Sequence, residues 1–240
     1  MARRSLRIVN ESSYQSARVA AAVDAIGKAI RIQLREVAAA WGEYVWEVVD
    51  DAGKQGFKIV LLDDDTAADA LGYHDVSEND GTPYARVFVD PIMANNGTWL
   101  RGANSVAVTA SHEACELVGD PTANHWVENA RGALVAAELC DPVESCAYTI
   151  SLRAGTPHDG RRVSVSDFVY PDWFNPYVPP GTQLDRMGVL RKPFEIAPDG
   201  YVIHHTSTGV RNIWGRSYPR WRKAGKRTYG SRTRVRHRLG

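Results

Sequence analysis

The feature that most constrains this chain is a set of apolar residues at Val19, Val23, Ile26, Ile30, Leu34, Val37 and Trp41. Their steps of three and four put all seven on one face of a continuous helix. The polar stretch Asn10-Glu11-Ser12-Ser13 ahead of it can supply an N-cap, and Gly42 is a natural terminator. The stripe is read as a core helix whose apolar face is buried.

Short β-branched and aromatic runs surround it. Residues 6–9 predict a strand. Residues 44–49 and 57–62 predict two more, joined by the turn signal Asp50-Asp51-Ala52-Gly53. Residues 63–83 are acidic and turn-rich, with no clear period. A strand is expected over 84–90, with Pro91 ending it. Residues 105–118 predict a second helix, stopped by Gly119 and Pro121. The expected order is strand, long helix, three strands, helix, which is an α+β pattern. Further on, 148–152 and 162–169 read as a hairpin. Residues 171–210, with Trp173, Phe174 and Tyr177 among several prolines, read as irregular coil wrapping a surface. This divides the chain into a body (1–170), a wrapping segment (171–210) and a basic arm (211–240).

The net charge of +1 conceals a strong asymmetry. No Asp or Glu occurs from Gly200 onward, while Arg211, Arg216, Arg220, Arg222, Lys223, Lys226, Arg227, Arg232, Arg234, Arg236 and Arg238 all lie in the arm. Of 29 basic residues, 18 therefore remain in the first 199 positions against all 28 acidic ones. Trp214, Tyr218, Trp221 and Tyr229 are interleaved with the arm cations. Arginine pairs bidentately with phosphate, and aromatic rings stack on bases or anchor in protein pockets. The arm is thus expected to be flexible and to contact either nucleic acid or a neighbouring protein. No apolar run approaches bilayer length, so a membrane role is not expected. The opening residues lack a secretory pattern, and three cysteines do not make a disulfide framework.

The chemistry centres on His112-Glu113-x-x-Glu116. On a helix His112 and Glu116 project from one face, one turn apart, and can ligate a single ion. Glu113 sits about 100° further around and is placed to act on a metal-bound water. This is the His-Glu-x-x-His geometry with glutamate in place of the second histidine. A third ligand is required, and Glu138, Asp120 and Asp141 are the candidates. Residues 128–139 are helix-permissive enough to carry Glu138 on a following helix. A mixed nitrogen and oxygen set favours a divalent ion, zinc first, with calcium or manganese as alternatives. The Cys140–Cys146 spacing matches no zinc ribbon, and His204-His205 reads as structural.

Three segments carry a resemblance. Ser111-His-Glu-Ala-Cys-Glu-Leu-Val-Gly-Asp-Pro121, Glu138-Leu-Cys-Asp-Pro-Val-Glu144 and Val165-Ser-Asp-Phe-Val-Tyr-Pro-Asp-Trp-Phe174 resemble a group of phage-encoded, zincin-like proteins, which also share an Asn10-Glu11-Ser12 opening. The resemblance covers roughly residues 6–176. It implies a zincin-like mixed sheet with a metal-site helix and an edge strand at 84–89, and a turn-forming role for Gly119. It also implies a viral or prophage origin. The expected function is a virion-associated structural protein on a degenerate metallopeptidase-like fold, assembling with other virion proteins through its arm. The expected location is the virion, after host cytoplasm. An active metal-dependent peptidase and a nucleic-acid-binding accessory protein are the alternatives.

Overall fold

The computed structural model describes residues 3–49, 56–64, 70–153, 160–206 and 209–216. The apolar stripe forms one helix, α1 (Ala17–Trp41), of 25 residues. Its cap lies slightly beyond the polar stretch expected to supply it: Ser16 Oγ accepts from the N–H of Val19. Asn10 instead organises the preceding turn, where its Oδ1 accepts from the N–H and hydroxyl of Ser12. Gly42 ends the helix at φ 58°, a conformation that penalises any Cβ, and donates to Ala38 O.

Five strands make the main sheet: β1 (Arg3–Asn10), β2 (Glu47–Val49), β3 (Phe57–Leu62), β4 (Gly72–Val76) and β5 (Pro83–Phe88). Their order is β2-β1-β3-β5-β4. The first four run parallel, and β4 runs antiparallel beside β5. Strand β4 falls in the stretch that shows no period. It displaces β5 from the edge position expected for residues 84–89, because β5 is paired on both sides. Nor does Pro91 end that strand. Val89 already begins a short helix, α2 (Val89–Ala94), whose first turn tolerates a residue without an N–H.

The second helix, α3 (Val106–Gly119), is capped by Ser105, whose hydroxyl accepts from Val108 N–H. Every residue of it but Thr109 is buried. It packs on β3, β4 and β5 and against α1. Gly119 is not a turn former here. A Cβ on it would lie 2.4 Å from Leu139 Cδ1, so its role is to let the chain around Leu139 close onto the helix end.

Residues 128–139 are not helical. β6 (Trp126–Glu128) and β7 (Leu134–Ala136) form an antiparallel hairpin. Its turn is built by Asn129, whose Oδ1 accepts from the N–H groups of Arg131 and Ala133, with Gly132 at φ 72°. Strand β7 also pairs with β10 (Tyr201–Thr206), and β10 with β11 (Gly209–Trp214), giving a four-stranded sheet β11-β10-β7-β6. The expected hairpin downstream is β8 (Ala147–Ser151) with β9 (Arg162–Ser166), and β9 covers α3.

The wrapping segment is irregular apart from a 3-10 turn at Pro171–Phe174 and β10. It does more than cover a surface, because Trp173, Phe174, Leu184 and Leu190 build a second apolar cluster with Val135, Val143 and Val202. Trp41 joins this cluster to α1: its indole N–H donates to Val169 O at 2.9 Å, and its ring meets Phe174 edge-on at 5.8 Å. Arg211, the first cation of the arm, lies within β11. Arg216 is the last described residue; Arg220, Arg222, Lys223, Lys226, Arg227, Arg232, Arg234, Arg236 and Arg238 lie outside the described residues. No described helix is long and apolar enough to cross a membrane.

A pair of carboxyl groups pins the irregular segment to β9. Asp167 Oδ1 accepts from Phe168 N–H and Met187 N–H, and the Asp185 carboxylate accepts from Val189 and Leu190 N–H. Both residues are fully buried. Burial, then the charge of Asp185, pushes Asp167 up to about 8. Between the ordinary carboxylate value near 4 and about 8, the folded chain holds a proton that the unfolded chain releases. The stabilising contribution of that proton is full below the lower value and falls as pH rises through this window. Asp167→Asn carries no such proton, so its stability relative to wild type should improve steadily from pH 5 to pH 8 in urea titrations. A difference independent of pH would mean that Asp167 ionises normally.

Candidate metal centre

Three elements deliver the donors. Helix α3 projects His112, Glu113 and Glu116 from inside the core, and the antiparallel edge strand β4 adds His74. The chain leaving β7 adds Glu138 and Asp141, the latter in a short 3-10 turn at Asp141–Val143. All six side chains are buried, and all six border one cavity of about 220 Å³.

The donor atoms group into two triads, each with its atoms within 4.8 Å of one another. One is His112, Glu116 and Asp141; the other is His74, Glu113 and Glu116. His112 Nε2 lies 3.0 Å from Glu116 Oε1 and 3.2 Å from Asp141 Oδ1. His74 Nδ1 lies 3.2 Å from Glu116 Oε2 and 3.8 Å from Glu113 Oε2. Donors held about 2.1 Å from one ion stand about 3.0–3.4 Å apart when octahedral or tetrahedral, which matches most of these separations. Glu113 Oε2 and Glu116 Oε1 are buried, yet neither receives an aligned hydrogen bond. A buried histidine, glutamate and aspartate group placed to hold a metal ion is therefore present.

Electrostatics describes the same strain. Burial opposes charge on His74, but Glu138, Glu113 and Glu116 outweigh it and hold the imidazole well above its usual value. Burial likewise opposes charge on His112, where Glu116 and then Asp141 prevail. Burial raises Glu113, with His74 acting against the rise. Glu116 is held low despite its burial, because His112 and His74 both face it. Burial, then the charges of Asp141 and Glu144, raises Tyr201 at the start of β10.

The structure sorts the candidate ligands. His112, Glu116 and Asp141 converge as a group that could hold one ion. Glu138 reaches the centre from a hairpin instead of a helix, with Oε2 3.8 Å from His74 Nε2. Asp120 lies beside the site, but its carboxylate accepts from Asn124 and His125 N–H and serves the turn after α3. Glu113 faces His74 and belongs to the second triad. His74 is the residue that sequence reasoning missed. Its one legible signal is that no other histidine precedes His112.

Gly72 seats this arrangement. A Cβ there would stand 2.9 Å from Arg86 O, Glu113 Oε1 and Thr109 Cγ2. Gly72→Ala should destabilise the fold by about 1–3 kcal/mol and weaken metal binding by displacing Glu113. Wild-type stability in urea, with unchanged metal affinity, would show that β4 does not seat there. Comparisons with protein families, with curated proteins and with solved structures found no match for this chain.

Proposed function

We propose that this chain is a divalent-metal protein of zincin-like build, with a centre equipped for hydrolysis. The observation that carries this reading is the convergence of His112, Glu116 and Asp141 on the cavity, with Glu113 and His74 beside them. One histidine with two carboxylates offers the nitrogen and oxygen donors that zinc accepts, and its carboxylate share also suits manganese. A bound divalent ion would polarise a carbonyl or acidify a water. The chain's own contribution is to hold the donors rigidly and to keep Glu113 and His74 within reach. Strand β4 lines the cavity and is one of the two edge strands of its sheet among the described residues. An extended peptide is the substrate shape such an edge accepts by strand addition.

A virion-assembly role is a second reading. It is supported by the resemblance and by the concentration of cations in the last 30 residues beside an acidic body. Failure of a chain ending at Arg216 to enter particles would support it.

Protein purified without chelators should carry at least one equivalent of zinc or manganese. Saturation at 100 times the dissociation constant should raise stability by about 2.7 kcal/mol. Less than about a tenth of an equivalent, with no thermal shift on adding either metal, would end the metal reading. Glu113→Gln should lower any metal-dependent cleavage of unfolded casein by 10²–10⁴-fold, about the span general acid–base groups contribute. Cleavage that survives this change would remove Glu113 from the chemistry.

A further inference from the structure

We propose that the centre takes two divalent ions, bridged by the Glu116 carboxylate. This rests on the metal reading above and goes beyond it by adding a second position at His74, Glu113 and Glu116.

Glu116 is the hinge of the geometry. Its Oε1 faces His112 Nε2 at 3.0 Å, and its Oε2 faces His74 Nδ1 at 3.2 Å. One carboxylate thus presents one oxygen to each imidazole. That is how a carboxylate spans a pair of ions about 3.5–4 Å apart, the usual separation in two-metal hydrolytic sites.

His74 is oriented as a ligand. Its Nε2 lies 3.2 Å from the Asp120 carbonyl oxygen. A carbonyl only accepts, so Nε2 carries the proton that is donated there. In the neutral ring Nδ1 then holds a lone pair aimed at Glu116 Oε2 and Glu113 Oε2. A backbone carbonyl on the far nitrogen is the support that metal-bound histidines usually have. Metal binding takes the place of any proton on Nδ1 between these carboxylate oxygens. Glu113 supplies the independent sign of a missing ligand. It is 4% exposed, borders the cavity, and its buried Oε2 receives no aligned hydrogen bond.

Charge points the same way. Glu113, Glu116, Glu138 and Asp141, all buried, bring four formal negative charges to the cavity wall. Two divalent ions with neutral imidazoles balance them, whereas a single ion leaves the balance to protons held on the histidines or on Glu113.

The test is stoichiometry on the full chain, with zinc or manganese as the only addition. Wild type should bind two equivalents, and the doubly manganese-loaded protein should show the broadened paramagnetic resonance of a coupled pair. His74→Ala and His112→Ala should each bind one equivalent, with the coupled signal lost. Saturation of wild type at one equivalent overturns the second position and leaves the one-metal reading intact. Two equivalents retained in His74→Ala would also overturn it. No binding in wild type would overturn both readings. The wild-type stoichiometry and coupling decide the matter even where a variant does not fold.

Discussion

A buried carboxylate needs a partner, and α3 carries Glu113 and Glu116, both buried, into the core. The cost of stripping water from such a group is several kcal/mol unless opposite charge or hydrogen bonds replace it. The rest of the structure answers that demand. Strand β4 adds an imidazole from one side, and the chain leaving β7 closes from the other. Glu116, held ionised between His74 and His112, is the group on which both sides converge.

The frame that makes this tolerable is rigid. Strand β9 lies over α3, and Ser166 N–H donates to the Ser111 hydroxyl at 2.8 Å. Gln33 of α1 donates to Ser166 O at 2.7 Å, tying the long helix to the same point. Large buried apolar residues of α1, β3 and β5 fill the space behind, including Ile26, Ile30, Ile59 and Val87. Donor atoms set on such elements cannot relax apart to relieve their mutual repulsion, which is what preorganises a site for a cation.

The second apolar cluster extends this logic beyond the main sheet. Trp173 and its neighbours hold the 171–200 segment in place, and that segment brings Tyr201 and β10 against the Asp141 turn. Ala197 N–H donates to Pro142 O at 2.9 Å, and a Cβ on Gly200 would strike Pro142 O. The loop bearing Asp141 is therefore fixed by residues that look like surface coil from composition alone.

How much of this was legible depends on the range over which each feature is encoded. The 25-residue helix and the helix bearing His112, Glu113 and Glu116 follow from spacings of three and four, which any helix converts directly into a face. Their caps at Gly42 and Ser105 are equally local. Strand β4 was illegible because five residues, Gly-Tyr-His-Asp-Val, hold no sustained alternation and pair only through β5. Residues 128–139 permit a helix by composition but form the β6–β7 hairpin, because the Asn129 turn outweighs a weak helical preference spread over the residues around it. The sequence by itself determined that one helix would carry an imidazole and two carboxylates on adjoining faces. Only the tertiary structure decided that His74 would meet them, that Asp141 and not Asp120 would complete the His112 set, and that Glu116 would face both histidines. Those choices depend on strand register and chain closure across roughly 30–40 residues, where no local periodicity acts and packing alone selects the neighbours.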